Sequence, residues 1–199
     1  MAKWTPIPGE TPIDASGLIP KYVKNREQLS LVEAESILQA TIKYLAAKPT
    51  GRQAPFTLKW IYRLHHDMFG KVWKWAGKRR QTELNLGVRP HQIDGMLQIL
   101  LDDLAFWRDK TKMPIIEQAA RLHHRSVLIH PFENGNGRWS RMLANIWLKQ
   151  NGQPITAWPD QAINRSSVIR EEYIKAIRTA DVGDYDPLFA LHRRYSGPP

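Results

Sequence analysis

Apolar residues recur at helical spacing along most of this chain. Asn25 can cap a first helix running to about Ala47, with Gln28 at the capping-box position and Leu29, Val32, Ile37, Ala40 and Tyr44 as its buried stripe. Thr57 can cap a second helix that Gly70 ends, with Leu58, Ile61, Leu64, His65 and Met68 on one face. A third, from about Asp94 to Asp109, turns Met96, Leu97, Leu100, Leu101, Leu104 and Trp107 inward. Pro114 suits the first turn of a fourth helix ending near Ile129. Met142, Leu143, Ile146 and Trp147 mark a fifth from Arg138 to Gln150, closed by Gly152 and Pro154. Two more are predicted at about 165–180 and 187–194.

Two regions break the helical period. Residues 1–24 hold four prolines and two glycines and read as an extended N-terminal arm, leaving 25–199 as a single domain. In residues 81–93, Leu84, Leu86 and Val88 alternate around Gly87, which suits a short exposed hairpin. The fold expected is therefore mainly α with one small β-hairpin.

Composition narrows the function. With no cysteine, disulfides and thiolate metal sites are excluded, and a reducing cytoplasm is the expected setting. Residues 1–20 lack an apolar signal core, and no apolar run nears the roughly 20 residues that span a bilayer. A net charge of +10 favours polyanionic partners: nucleotides, nucleic acid or acidic protein surfaces. No motif supports nucleic acid specifically, and the oligomeric state stays open. The pairs His65-His66 and His123-His124 cannot each chelate one ion, because adjacent helical side chains diverge by about 100°.

The chemistry gathers in His130-Pro131-Phe132-Glu133-Asn134-Gly135-Asn136-Gly137-Arg138-Trp139-Ser140-Arg141. A glycine-rich loop lets backbone N–H groups close around phosphate oxygens. It leads into a helix N-terminus, where unpaired N–H groups and the macrodipole favour an anion. Arg138 and Arg141 fall in the first turn and can grip phosphate bidentately. His130, just before the loop, is placed to take a proton from an attacking hydroxyl.

This stretch resembles the Fic family motif His-Pro-Phe-x-(Asp/Glu)-Gly-Asn-Gly-Arg-x-x-Arg. Leu64 to Gly70, with Trp75-Ala76-Gly77-Lys78-Arg79-Arg80, resembles the family's upstream helix and turn, and Tyr173 to Leu191 its C-terminal helices. Thr11-Pro12-Ile13, Gly17-Leu18-Ile19-Pro20, Asn25 to Leu29, Asn85-Leu86-Gly87-Val88 and Gln92-Ile93 resemble the Fic subgroup called mobile mystery protein B.

The resemblance implies a Fic-type helical domain that transfers AMP from ATP, with Mg2+, to a Ser, Thr or Tyr hydroxyl of a target protein. His130 would be the base. Gly135, Asn136 and Gly137 would cradle the α- and β-phosphates, Arg138 would hold phosphate, Arg141 the γ-phosphate, and Phe132 would anchor the loop. Leu84, Asn85, Leu86, Gly87 and Val88 would form a flap that clamps target backbone as an added strand. Asn134 stands where the family has the magnesium-binding acid, so metal binding should weaken. The family's inhibitory helix, whose Glu pairs with the second motif arginine, has its nearest match in Leu31 to Ser36, with Glu35 as candidate. Two other readings stay open: transfer of a different phosphorylated group, or a non-catalytic nucleotide- or nucleic-acid-binding protein of a mobile element.

Overall fold

The computed structural model describes residues 13–84 and 86–197. Most of the proposed arm, the Thr11-Pro12 part of the subgroup motif, and Asn85 lie outside the described residues. The rest of the arm is irregular apart from a 3-10 turn at Ala15–Gly17.

Eight α-helices follow among the described residues: α1 Arg26–Leu45, α2 Leu58–Phe69, α3 Ile93–Lys110, α4 Ile115–Ile129, α5 Asn136–Gln150, α6 Asp160–Ile163, α7 Val168–Asp181 and α8 Asp186–Tyr195. The side chains of Asn25 and Thr57 accept the Gln28 and Trp60 N–H groups, satisfying first-turn donors of α1 and α2. Gln28 reaches back to accept the Lys24 N–H at 2.7 Å. The motif helix starts two residues earlier than its apolar period predicts, at Asn136, because Gly135 takes the left-handed turn (φ 79°) into it.

α5 is the centre of the molecule. Every residue from Trp139 to Leu148 is buried, as expected of a helix enclosed on all sides. It packs on α4, α1 and α2, while α4 also meets α3, α7 and α8. The fully buried rings of Trp139, Trp147 and Phe132 fill the junction; cutting such a ring back to alanine typically costs about 3–5 kcal/mol. The loop before α5 therefore stands on the best-packed element of the chain.

The expected hairpin is absent: among the described residues only isolated bridges occur, Leu18 with Trp73 and Thr156 with Ser196. The alternation of Leu84, Leu86 and Val88 has no strand to pair with. The segment is tied instead to the end of α4, where the Val88 N–H donates to the Ile129 carbonyl at 3.3 Å. α6 was not foreseen, because four residues after Pro159 carry no period.

Candidate functional site

The site is built where α4 ends and α5 begins. His130 caps α4 in the left-handed conformation (φ 52°, ψ 61°), an uncommon geometry for a side-chain-bearing residue. Its ring is hydrogen-bonded to the Val127 main chain. A main-chain carbonyl can only accept, so this contact assigns the ring proton to the nitrogen that faces it and leaves Nε2 as the acceptor. Nε2 is buried with no hydrogen-bond partner. Burial, and then the charge of Arg80, pull the imidazole down from 6.5 to about 4, so it is neutral near pH 7. A neutral ring nitrogen with a free lone pair can accept a proton, as a general base must.

The loop is held from three directions. Asn136 closes it internally: its Oδ1 accepts the Phe132 N–H (3.0 Å) and its Nδ2 donates to the Phe132 carbonyl (2.8 Å). Its side chain is thus spent on loop shape, leaving its main-chain N–H for an anion. Phe132 is fully buried and stacks on His65, with ring centres 3.6 Å apart. His65 accepts the Gly77 N–H on Nδ1 (2.9 Å), so its Nε2 donates to the Asn134 carbonyl (3.1 Å). Burial above all lowers its pKa to about 3 and keeps it neutral for that role. The sequence placed His65 on an apolar face without assigning it to the site; its link to residue 134 spans helices and leaves no local signal.

The first intrahelical bond of α5 runs from the Trp139 N–H to the Gly135 carbonyl (2.9 Å). The N–H groups of Asn136, Gly137 and Arg138 precede it and lie at the positive end of the dipole. Arg138 reaches back over the Phe69 ring and pairs with Glu33 at 2.6 Å. Arg141 is buried beside the loop: its Nη1 lies 3.6 Å from where a Gly137 β-carbon would sit, while Nε binds Asp160 (2.9 Å) and Nη2 meets Asn164 (3.3 Å).

The helix acid that meets this loop is Glu33, two residues before the candidate Glu35, which is exposed. Glu33 is buried and also accepts the Trp73 indole N–H at 2.7 Å. Two residues rotate about 200° around a helix, so one of the pair faces in and the other out. The arginine it engages is the first of the motif, Arg138, rather than Arg141.

Residues 86–88 lie across the base. Gly87 (φ 91°) passes so close that an added β-carbon would lie 2.5 Å from the His130 β-carbon. Leu86 is exposed and Leu84 and Val88 are half-buried. Glu133 is turned toward Thr82, accepting its hydroxyl at 3.1–3.2 Å. Asn134 Oδ1 accepts the neighbouring Gly135 N–H at 2.6 Å. Among the described residues no cluster of three or more His, Cys, Asp or Glu could hold a metal ion.

Residues 55–148 match the model of the Fic/DOC family. It is 32% identical over 124 residues to "Protein adenylyltransferase fic-1" of Caenorhabditis briggsae, across 61% of this chain and 23% of that protein. It is 30% identical over 154 residues to "Protein adenylyltransferase Fic" of Aedes aegypti, across 75% of this chain and 30% of that protein. The chain spans less than a third of the length of these relatives. Among solved structures, a fragment of C. elegans Fic-1 superposes with a TM-score of 0.68 at 25% identity, covering 92% of this chain and 52% of that one. BepC of Bartonella tribocorum, solved with bound AMPPNP, superposes at 0.67 with 19% identity, covering 92% and 94%; at that identity the likeness is one of fold.

Proposed function

We propose that this chain is a protein adenylyltransferase, moving AMP from ATP to a Ser, Thr or Tyr hydroxyl of a target protein. The observation that carries the reading is the bare, buried Nε2 of His130 beside a helix N-terminus with two arginines. The reading draws support from relatives named as adenylyltransferases. His130 Nε2 takes the hydroxyl proton, the freed oxygen attacks the α-phosphorus, and the bond to the β-phosphate oxygen breaks to release pyrophosphate. The N–H groups of residues 136–138, with Arg138 and Arg141, offset the charge on the phosphates. The protein's contribution is positioning and charge stabilisation, since phosphoryl-type transfer leaves little covalent work to it. Incubating the protein and a lysate with ATP labelled at the α-phosphate tests this: a labelled protein band supports it, and its absence at all nucleotide concentrations defeats it. The Asn85 to Gln92 segment and the cysteine-free composition extend the proposal to the mobile mystery protein B subgroup and a cytoplasmic setting.

Magnesium does not fit this loop as a protein-ligated ion. Position 134 offers a neutral amide oxygen in place of a carboxylate, and the Glu133 carboxylate is turned toward Thr82. No step is assigned to the metal. Asn134→Asp puts a charged hard-cation ligand at the family's acid position, so it should lower the magnesium needed for half-maximal labelling severalfold. Glu133→Gln should leave that concentration unchanged. A magnesium titration of both variants checks this, and the reverse ranking would move the ligand to Glu133. The neutral residue at position 134 also favours a second reading, transfer of another phosphorylated group; parallel labelling with other nucleoside triphosphates decides between the two.

Glu33 holds Arg138 in a carboxylate pair that a phosphate would have to displace, so we assign it the restraining role first sought in Glu35. Glu33→Gln removes the charge yet keeps an acceptor for the Trp73 indole. Nucleotide affinity, measured by calorimetry, should rise severalfold. An unchanged affinity would mean that Arg138 is not needed by the nucleotide or not withheld by Glu33.

A further inference from the structure

The side chain that joins the base to its cover is Arg80. It is 1% exposed, one of the largest fully buried side chains described. Its guanidinium donates to main-chain carbonyls at three points: Nε to His130 (2.7 Å), Nη1 to Thr82 (2.8 Å) and Nη2 to Val88. Its own N–H donates to the Pro131 carbonyl at 2.9 Å. One planar group therefore fastens the strained turn that carries the base and both ends of the segment lying across it.

We propose that Arg80 is a positioning residue for the transfer reaction, a clamp that fixes the left-handed His130 main chain together with Thr82 and Val88 of the cover above it. The inference rests on the assignment of His130 as the base. Two arguments carry it. Burying a guanidinium is costly, and an apolar side chain would fill the same space without that desolvation. What the guanidinium adds is a rigid fork of donors, which lysine lacks. All three side-chain acceptors belong to the base or its cover. The close approach of Gly87 gives the second argument: its added β-carbon would lie 2.8 Å from Arg80 Nη2 as well as 2.5 Å from the His130 β-carbon. Clamp, base and cover thus meet with no room to spare, and loss of the fork leaves the cover free to lift. A shift of about 1 Å at a reacting group can cost about 10²-fold in rate.

Arg80 is also the charged group acting on the His130 imidazole, and Glu133 and Glu83 face Arg80 in turn. This lets position and charge be separated with two variants of the full chain. Arg80→Met removes fork and charge; Arg80→Lys removes the fork alone. Hydrogen exchange at residues 82–88 should speed up at least tenfold in both. The His130 imidazole, followed by NMR and identified by its loss in His130→Ala, should titrate at higher pH in Arg80→Met and stay near the wild-type value in Arg80→Lys. The rate of labelling by ATP should fall at least tenfold in both, with the KM for ATP within about twofold of wild type.

The proposal is overturned if exchange at 82–88 is unchanged in both variants. It is overturned equally if the labelling rate per folded molecule, with the folded fraction taken from circular dichroism, matches wild type. Should Arg80→Met not fold, Arg80→Lys decides on exchange and rate. Should wild type label nothing with any nucleotide, the base assignment fails, and with it the catalytic part of this proposal; the exchange measurement then still decides whether Arg80 clamps the cover.

Discussion

His130→Ala should lower labelling by about 10²–10⁴-fold while leaving nucleotide affinity and fold nearly unchanged. The ring contacts the main chain of the turn before it, and losing one such hydrogen bond typically costs about 0.5–1.5 kcal/mol. The anion-binding groups, at residues 135–141, do not depend on it. Nucleotide affinity by calorimetry and labelling rate with ATP give the two numbers. Labelling within a few-fold of wild type would remove His130 from the reaction.

The same residue sets a pH dependence. His130 is free to accept a proton above about pH 4 and blocked below it, so the rate should hold from neutrality downward and fall as pH drops through about 4. Stability moves in the same direction over a wider window. His65 and His192 are held neutral by burial at about 3, and His123 lies well below its ordinary 6.5. In the unfolded chain these rings bind protons below about 6.5, where the folded protein does not, so the unfolded state gains as pH falls. The acid limb of the rate must therefore be read per folded molecule, at pH values where circular dichroism still reports the native state.

Much of this site is legible in local sequence, and the parts that are not share a cause. The caps at Asn25 and Thr57 and the loop into α5 depend on residues within a turn of one another, and the structure places them as the sequence implies. Glu33 was within reach. Leu29, Glu33, Ser36, Ala40 and Tyr44 are buried at spacings of four, three, four and four, and an acid on that stripe needs a buried partner. The motif pattern matches Glu35, two residues on, which the same stripe leaves exposed. The hairpin misreading has another origin: alternation reports which side chains face inward, and a loop lying across a core can alternate without any strand beside it. Arg80, fifty residues from the carbonyl it binds, carries no local mark beyond its turn. Nothing in the order of residues says that its donors end on main chain rather than on an acid.

Arg141→Ala should weaken nucleotide binding by about 10- to 150-fold, the equivalent of a charge-assisted contact worth about 1.5–3 kcal/mol. The structure gives the geometric reason. Asp160 and Asn164 hold Nε and Nη2 and Tyr173 also engages the guanidinium, which fixes it with Nη1 3.6 Å from where a Gly137 β-carbon would sit. A pre-oriented donor loses little entropy on binding, so its removal should cost more than that of a flexible arginine. Stability should suffer less than in a fully buried ion pair. Asp160 is 60% exposed at its side chain, so it returns to water once unpaired. Arg141→Lys keeps the charge but cannot serve Asp160 and a phosphate together, and should fall between wild type and alanine. Arg193→Ala is the control: that side chain is 58% exposed, pairs with Glu117 at 3.3 Å and should change affinity by less than about twofold. Calorimetric titration of ATP into the three variants, each beside a thermal melt, gives the ranking. If Arg141→Ala binds as Arg193→Ala does while melting lower, Arg141 is a strut for Asp160 and Asn164, and the γ-phosphate must be held by Arg138 once Glu33 releases it.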